Sequence, residues 1–159
     1  MIARLVFAYV NFAARKGLAL TTADDSAPNP SKELAHRIGV RGETYAYWYL
    51  RRHGYVLVAR NYTVPGIKGE IDMIGYDGPV LAFVEVKTRS ADQSDGPEPE
   101  QAVNAEKRHY LTRVARRFLR ARRAEVGPWR FDIVAIENRA GKRPEIRLHK
   151  GAFTPSSVS

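Results

Sequence analysis

The sequence predicts a single α/β domain in the order helix, three strands, helix, strand, strand, and three observations carry that expectation. Apolar residues recur at helical spacing between residues 33 and 53. Three strand-like runs follow, separated only by short turns. A second amphipathic helix then precedes a strongly apolar strand. At 159 residues the chain is long enough for one domain with a real core and too short for two of ordinary size.

In the first helix Ile38, Gly42, Tyr45, Ala46, Tyr49 and Leu50 repeat at the helical period, and Gly54 is placed as a C-terminal stop. The strand-like runs cover residues 55–64, 70–76 and 80–88, divided by Pro65-Gly66 and by Asp77-Gly78-Pro79. Both connections are short enough for antiparallel pairing. The polar stretch 90–99 has the Gly, Pro and acidic composition of a mobile loop, and is expected near the site. The second helix spans roughly residues 102–123, with Leu111, Val114, Ala115 and Phe118 inward and Arg113, Arg116, Arg117 and Arg120 as a basic stripe elsewhere on its surface. Residues 129–136 form a fourth strand and 146–150 a weaker fifth. No internal repeat or glycine-rich phosphate loop is present. The domain is therefore expected over residues 33–150, after a polar, proline-containing linker at 21–32, with a tail at 151–159.

Hydrophobic residues make up 44% of the chain and charged residues 27%, the balance of a soluble folded protein. Lys and Arg number 26 against 17 Asp and Glu, a formal charge of +9, and a chain this basic is drawn to nucleic acid or to an anionic membrane surface. Net charge alone does not separate specific binding from general stickiness. Without cysteine there is no disulfide, thiolate zinc site or Cys nucleophile. Any metal must be held by oxygen or histidine. Residues 1–14 are apolar, but Arg4 and Asn11 interrupt them and Arg15-Lys16 follow them, the wrong polarity for export, and the stretch is too short to span a bilayer. It reads as a short amphipathic helix or extension over residues 1–20, able to dock on a partner, on the domain or, through residues 1–16, on a membrane surface. A start codon assigned too far upstream explains it equally. The expected location is the cytoplasm.

The stretches that carry chemistry are Gly69-Glu70-Ile71-Asp72-Met73-Ile74 and Phe83-Val84-Glu85-Val86-Lys87-Thr88-Arg89. A hairpin centred between Gly78 and Pro79 sets Tyr76 against Leu81, Ile74 against Phe83, Asp72 against Glu85 and Glu70 against Lys87, with all eight on one face because strand side chains alternate. An odd-length loop would slip this register. Glu85 and Lys87 share a face in any register. Two carboxylates placed opposite one another repel by about 0.2–1 kcal/mol before any burial cost, so a compensating charge is expected. Lys87 offsets part of it, and Mg²⁺ or Mn²⁺ would offset more, since such ions are commonly held by one or two carboxylates, waters and substrate phosphate. The Val86 carbonyl could add another oxygen. Lys87 is placed to contact the phosphate or orient the attacking water. Glu43, near the inward side of the first helix, either reaches the sheet as a further acidic group or favours the helix dipole from solvent.

Together with Gly39-Val40-Arg41-Gly42-Glu43, Arg60-Asn61 and Arg130-Phe131-Asp132, these stretches resemble the bacterial YraN family over roughly residues 38–137. The family is largely uncharacterised. The resemblance implies a restriction-endonuclease-like fold, an αβββαβ core with a mixed sheet flanked by helices, similar to archaeal Holliday-junction resolvases. It implies metal-dependent cleavage of DNA, with Glu43, Asp72, Glu85 and Lys87 as the active-site set and Asp72 and Glu85 on the metal. Glu70 belongs to the motif without an equally clear role. The N-terminal extension, the turn Pro65-Gly66-Ile67-Lys68 and the acidic loop at 92–100 depart from the family pattern and bear on substrate choice.

Candidate nucleic-acid contacts are Arg89, Lys107, Arg113, Arg116, Arg117 and Arg120, with Arg51-Arg52 adding phosphate affinity. For Lys107, a solvated helix-start lysine is favoured over a phosphate contact. Asp132 is expected to pair with an arginine such as Arg130 or Arg60. The four histidines, His36, His53, His109 and His149, show no metal-ligand spacing and read as surface residues. Tyr45 and Tyr49 suit the core; Tyr47 and Trp48 suit a partner or unpaired bases. The leading expectation is a Mg²⁺- or Mn²⁺-dependent nuclease for branched or flapped DNA, a homodimer by analogy with resolvases. Its rivals are a nucleic-acid-binding accessory protein that keeps the fold without turnover, and a membrane-peripheral adaptor.

Overall fold

The structure, a computed structural model, describes residues 30–90, 103–124, 126–138 and 142–155. The expected N-terminal helix, most of the linker and most of the polar loop at 90–99 lie outside the described residues. The elements follow the predicted order: α1 (Pro30–Arg52), β1 (Val56–Val64), β2 (Ile67–Asp77), β3 (Val80–Ser90), α2 (Ala105–Arg122), β4 (Trp129–Asn138) and β5 (Glu145–Phe153). They form a five-stranded mixed sheet ordered β1-β2-β3-β4-β5, antiparallel except for the parallel β3–β4 pair that α2 connects. Parallel neighbours require such a crossover, and α2 supplies it. This is the mixed-sheet, helix-flanked α/β arrangement that the family resemblance implies.

Each helix covers one face. Tyr45, Ala46 and Leu50 of α1 pack with Met73, Ala82, Val84, Val134 and Ile136. Leu111, Val114, Ala115 and Phe118 of α2 pack with Ile71, Ile74, Leu81, Phe83 and Phe131 on the other side. The central strands β3 and β4 are therefore buried on both faces, which is why 81–85 and 131–136 read as continuous apolar runs broken only by Glu85 and Asp132. Tyr45 is in the core, while Tyr49 is half-buried against the exposed His53. Tyr47 and Trp48 are half-buried edge-to-face neighbours, and Arg60 lies over the Tyr47 ring.

Two local features depart from simple patterning. Gly42 lets α1 approach β3 so closely that a Cβ there would collide with the Thr88 hydroxyl. The fifth strand also runs to Phe153, into the segment read as a tail from residue 151. Gly151, at φ +64°, donates its N–H to Asp132 and redirects the chain, so that Phe153 stacks on Phe131 at 4.5 Å between centroids. A lone phenylalanine beyond a glycine gives no periodic signal, so local patterning ends the strand at residue 150 while the fold carries it to Phe153.

Asp132 is fully buried and fully partnered. Its Oδ1 accepts from Arg130 Nε at 2.7 Å and Gly151 N at 2.9 Å, and its Oδ2 from the Tyr55 hydroxyl at 2.9 Å. Arg130 continues to Asp77, which also accepts from Lys150, so the network joins β2, β4 and β5 at the hairpin end of the sheet. Burial, then Asp132, hold the Tyr55 phenol well above its ordinary range. The expected Asp132–Arg130 pairing is present, as a structural tie.

Two stability predictions follow from this packing. Gly42→Ala is expected to lose about 1–3 kcal/mol in urea unfolding through overpacking against Thr88, with part restored by Thr88→Ala; an unaffected midpoint would contradict the close approach. Asp132→Ala, which takes one of two carboxylate partners from Arg130 and leaves the Tyr55 hydroxyl and the Gly151 N–H without their acceptor, is expected to lose about 3–5 kcal/mol, against about 1 kcal/mol for Tyr55→Phe.

Candidate functional site

The β2–β3 hairpin has the predicted register, with Tyr76 opposite Leu81 and Ile74 opposite Phe83. The ladder ends at Met73↔Val84, one pair short of Asp72 and Glu85. There Asp72 Oδ2 accepts the Val86 N–H at 2.6 Å, so a side chain takes the place of a backbone acceptor. Ile71 packs on the α2 side and Met73 on the α1 side although they are two residues apart, so β2 changes face at Asp72. The expectation that Glu70, Asp72, Ile74 and Tyr76 share a face is corrected accordingly. Glu70 is exposed and does not meet Lys87, which pairs with Glu85 instead.

The neighbouring strand turns at the same level. Asn61 sits between the pairs Arg60↔Met73 and Tyr62↔Ile71, across from Asp72, in the left-handed conformation at φ 47°. Asparagine tolerates that region better than most residues. Its amide donates to Glu43 Oε2 at 3.1 Å, tying α1 to the irregular point of the sheet. Glu43 is half-buried there and acts electrostatically on Asp72.

Glu85, only 5% exposed, is the centre of the group. Its Oε1 accepts from Lys87 Nζ at 2.9 Å and also from Lys107 Nζ of α2. Its Oε2 is buried and has no hydrogen-bond partner. Burial and the Glu85 charge push the Asp72 carboxyl up to about 7; the Val86 N–H opposes that rise, Glu43 adds to it and Lys107 opposes it. Lys107 is drawn down by burial, but Glu85 more than offsets this and leaves it above the ordinary lysine value. The fold thus gathers Glu43, Asp72, Glu85, Lys87 and Lys107.

Lys107 corrects the solvated reading: its side chain is 27% exposed and pairs with Glu85. The signal was its position one turn before Leu111 and two before Val114, both buried. Asn61 and Tyr110 were missed as site residues. Tyr110 donates its hydroxyl to the Glu70 carbonyl, and its ring fills the space a Cβ on Gly69 would need. Arg113, Arg117 and Arg120 are exposed and Arg116 half-exposed; at about 100° per residue they lie opposite the inward face of α2, away from Lys107. Arg89 is half-buried on β3. His109 is exposed like His53, and His149 is half-buried.

Among the described residues, no three His, Cys, Asp or Glu side chains are placed to hold a metal ion. What the site offers is a pair, Asp72 and Glu85, with the Val86 main chain between. With both lysines on Oε1, Glu85 Oε2 is left over as a buried carboxylate oxygen, beside a carboxyl whose ionisation is suppressed. The pair fits a hard divalent cation completed by solvent and substrate oxygens, not one enclosed by protein.

A mixed five-stranded sheet between two helices is an endonuclease-like α/β fold. The chain belongs to the uncharacterised protein family UPF0102, the YraN family, whose model matches residues 42–136. It is 46% identical over 136 residues to a UPF0102 protein of Koribacter versatilis, covering 86% of this chain and 92% of the relative. A Solibacter usitatus UPF0102 protein is 46% identical over 112 residues, covering 70% of this chain and 82% of its own. One from Symbiobacterium thermophilum is 41% identical over 120 residues, covering 76% and 98%. No helix among the described residues is long and apolar enough to cross a membrane.

The raised Asp72 carboxyl has a signed consequence. Its folded value, about 7 against 3.8 for an unperturbed group, makes a stability contribution that is full below about pH 4 and lost as pH rises through 7. Asp72→Asn does not titrate and keeps an acceptor for the Val86 N–H. In metal-free buffer its stability relative to wild type should therefore climb between pH 4 and 7. A difference constant with pH in thermal melts would refute this electrostatic account.

Proposed function

We propose that this protein is a metal-dependent nuclease that cleaves DNA phosphodiester bonds with Mg²⁺ or Mn²⁺, directed to branched or flapped structures. The observation that carries the reading is the buried, unpartnered Glu85 Oε2 beside an Asp72 carboxyl whose ionisation is opposed by burial and by the Glu85 charge. The two lysines meet Oε1 alone, and a buried carboxylate pair that leaves Oε2 without a partner is costly unless a further cation normally meets it. Asp72 and Glu85 would hold that cation, which when bound acidifies a water and neutralises charge building on the phosphate. Val86 fixes the Asp72 carboxylate through its N–H, and Glu43 adds negative charge across from Asn61. Lys87, two residues beyond Glu85, offers an ammonium to the phosphate or the attacking water. The net charge of +9 supports a polyanionic partner, with Arg89 on the strand of the site and the outer α2 arginines as further phosphate contacts. A homodimer presenting two sites suits a symmetric junction. The cytoplasm, where DNA lies in bacteria, is the compartment this activity needs.

A second reading, a nucleic-acid-binding accessory protein without turnover, is favoured by one observation. Two lysines already answer the Glu85 charge and no third acidic or histidine ligand completes a metal site among the described residues.

The deciding experiment incubates the purified chain with four-way-junction, flapped and linear DNA and Mg²⁺ or Mn²⁺, beside Asp72→Asn/Glu85→Gln. Cleavage is expected with metal, absent with chelator, and reduced at least about 100-fold in the variant. Binding without cleavage of any of the three, by wild type with either metal, would reject the nuclease.

A further inference from the structure

Two ammonium groups converge on one carboxylate oxygen, and they arrive by different routes. Lys87 lies two residues from Glu85 on the same strand. Lys107 comes from the first turn of α2, where Asn104 caps the helix by accepting the Lys107 N–H at 2.8 Å. One turn later Tyr110 anchors α2 to Glu70. The backbone of Lys107 is therefore fixed while its four-carbon stem remains a flexible, partly exposed arm. In a site this buried, solvent screening is weak, and an ammonium sharing Glu85 with a divalent cation repels it strongly.

Resting on the metal reading above, we propose that Lys107 is the resident counter-ion of the acidic site. It neutralises Glu85 while no cation is bound, opposes cation entry, and leaves Glu85 for a phosphate oxygen when a nucleic-acid backbone arrives. Metal loading and polyanion binding are then coupled, and linkage makes that coupling reciprocal. Lys87, two residues away on the same strand, keeps its pairing with Glu85 Oε1 through one proton and has others for the phosphate or the attacking water. Lys107 is thus a positioning and gating residue for the cation, and the outward arginines of α2 have no part in that exchange.

The test measures Mn²⁺ binding to the full chain by paramagnetic resonance of free Mn²⁺, with and without a short duplex DNA. In wild type, DNA is expected to tighten Mn²⁺ binding. Lys107→Met keeps the apolar stem and removes the charge. It should tighten Mn²⁺ binding without DNA by about tenfold or more and shrink the gain from DNA. Lys107→Arg should stay near wild type, and Lys150→Met, the same charge change at the far, hairpin end of the sheet, should leave Mn²⁺ affinity unchanged. Unaltered or weaker Mn²⁺ binding by a folded Lys107→Met or Lys107→Gln would overturn the counter-ion role while leaving the metal reading in place. So would a wild-type protein that binds Mn²⁺ equally with and without DNA, a result that needs no variant to fold. Failure of wild type and variants alike to bind Mn²⁺ would remove the metal reading itself, and this inference with it.

Discussion

The site depends on a gap between two strands. β2 and β3 run as a regular ladder from the hairpin to Met73↔Val84, and there the backbone pairing stops. An unmet N–H in a sheet interior is costly, so the gap persists only because the Asp72 carboxylate accepts the Val86 N–H. That one substitution of side chain for backbone turns β2 over and sets Asn61 opposite it in an uncommon conformation. It also draws Asp72 toward Glu85. Glu43, Asp72, Glu85, Lys87 and Lys107 are clustered at this break.

Two buried acidic residues interrupt the central strands, and their surroundings separate structural use from chemical use. Asp132 has partners on both oxygens, an arginine beside it and a phenol whose proton is held tightly. Such a group ties elements together and leaves nothing over. Glu85 is equally central, but only one oxygen is partnered. Its neighbour Asp72 carries the ionisation cost of the pair. A satisfied network is a fold device; one that leaves a buried carboxylate oxygen over is open to a further ligand.

The packing around the break explains several small residues. Gly42 admits Thr88, bringing α1 close enough for Glu43 to meet Asn61. Gly69 admits the Tyr110 ring, and Tyr110 fixes the start of α2 against β2. Lys107 is thereby carried to Glu85. The two helices thus do more than cover the sheet, since each delivers one charged side chain to the point where the ladder fails.

Much of this was legible from residue order. Alternation and turn chemistry gave the element order and the hairpin register, because both are set by local rules and a two-residue side-chain period. Glu85 and Lys87 had to share a face for the same reason. Helical spacing also pointed Lys107 inward, although a general preference for solvated lysines outweighed that signal. Tertiary structure alone decided where the ladder stops, which partner each charge takes and how far β5 continues. Those outcomes turn on contacts between residues distant in the chain, Asp72 with Val86, Lys107 with Glu85 and Phe153 with Phe131, and no local period encodes a contact whose energy comes from burial and charge brought together by folding.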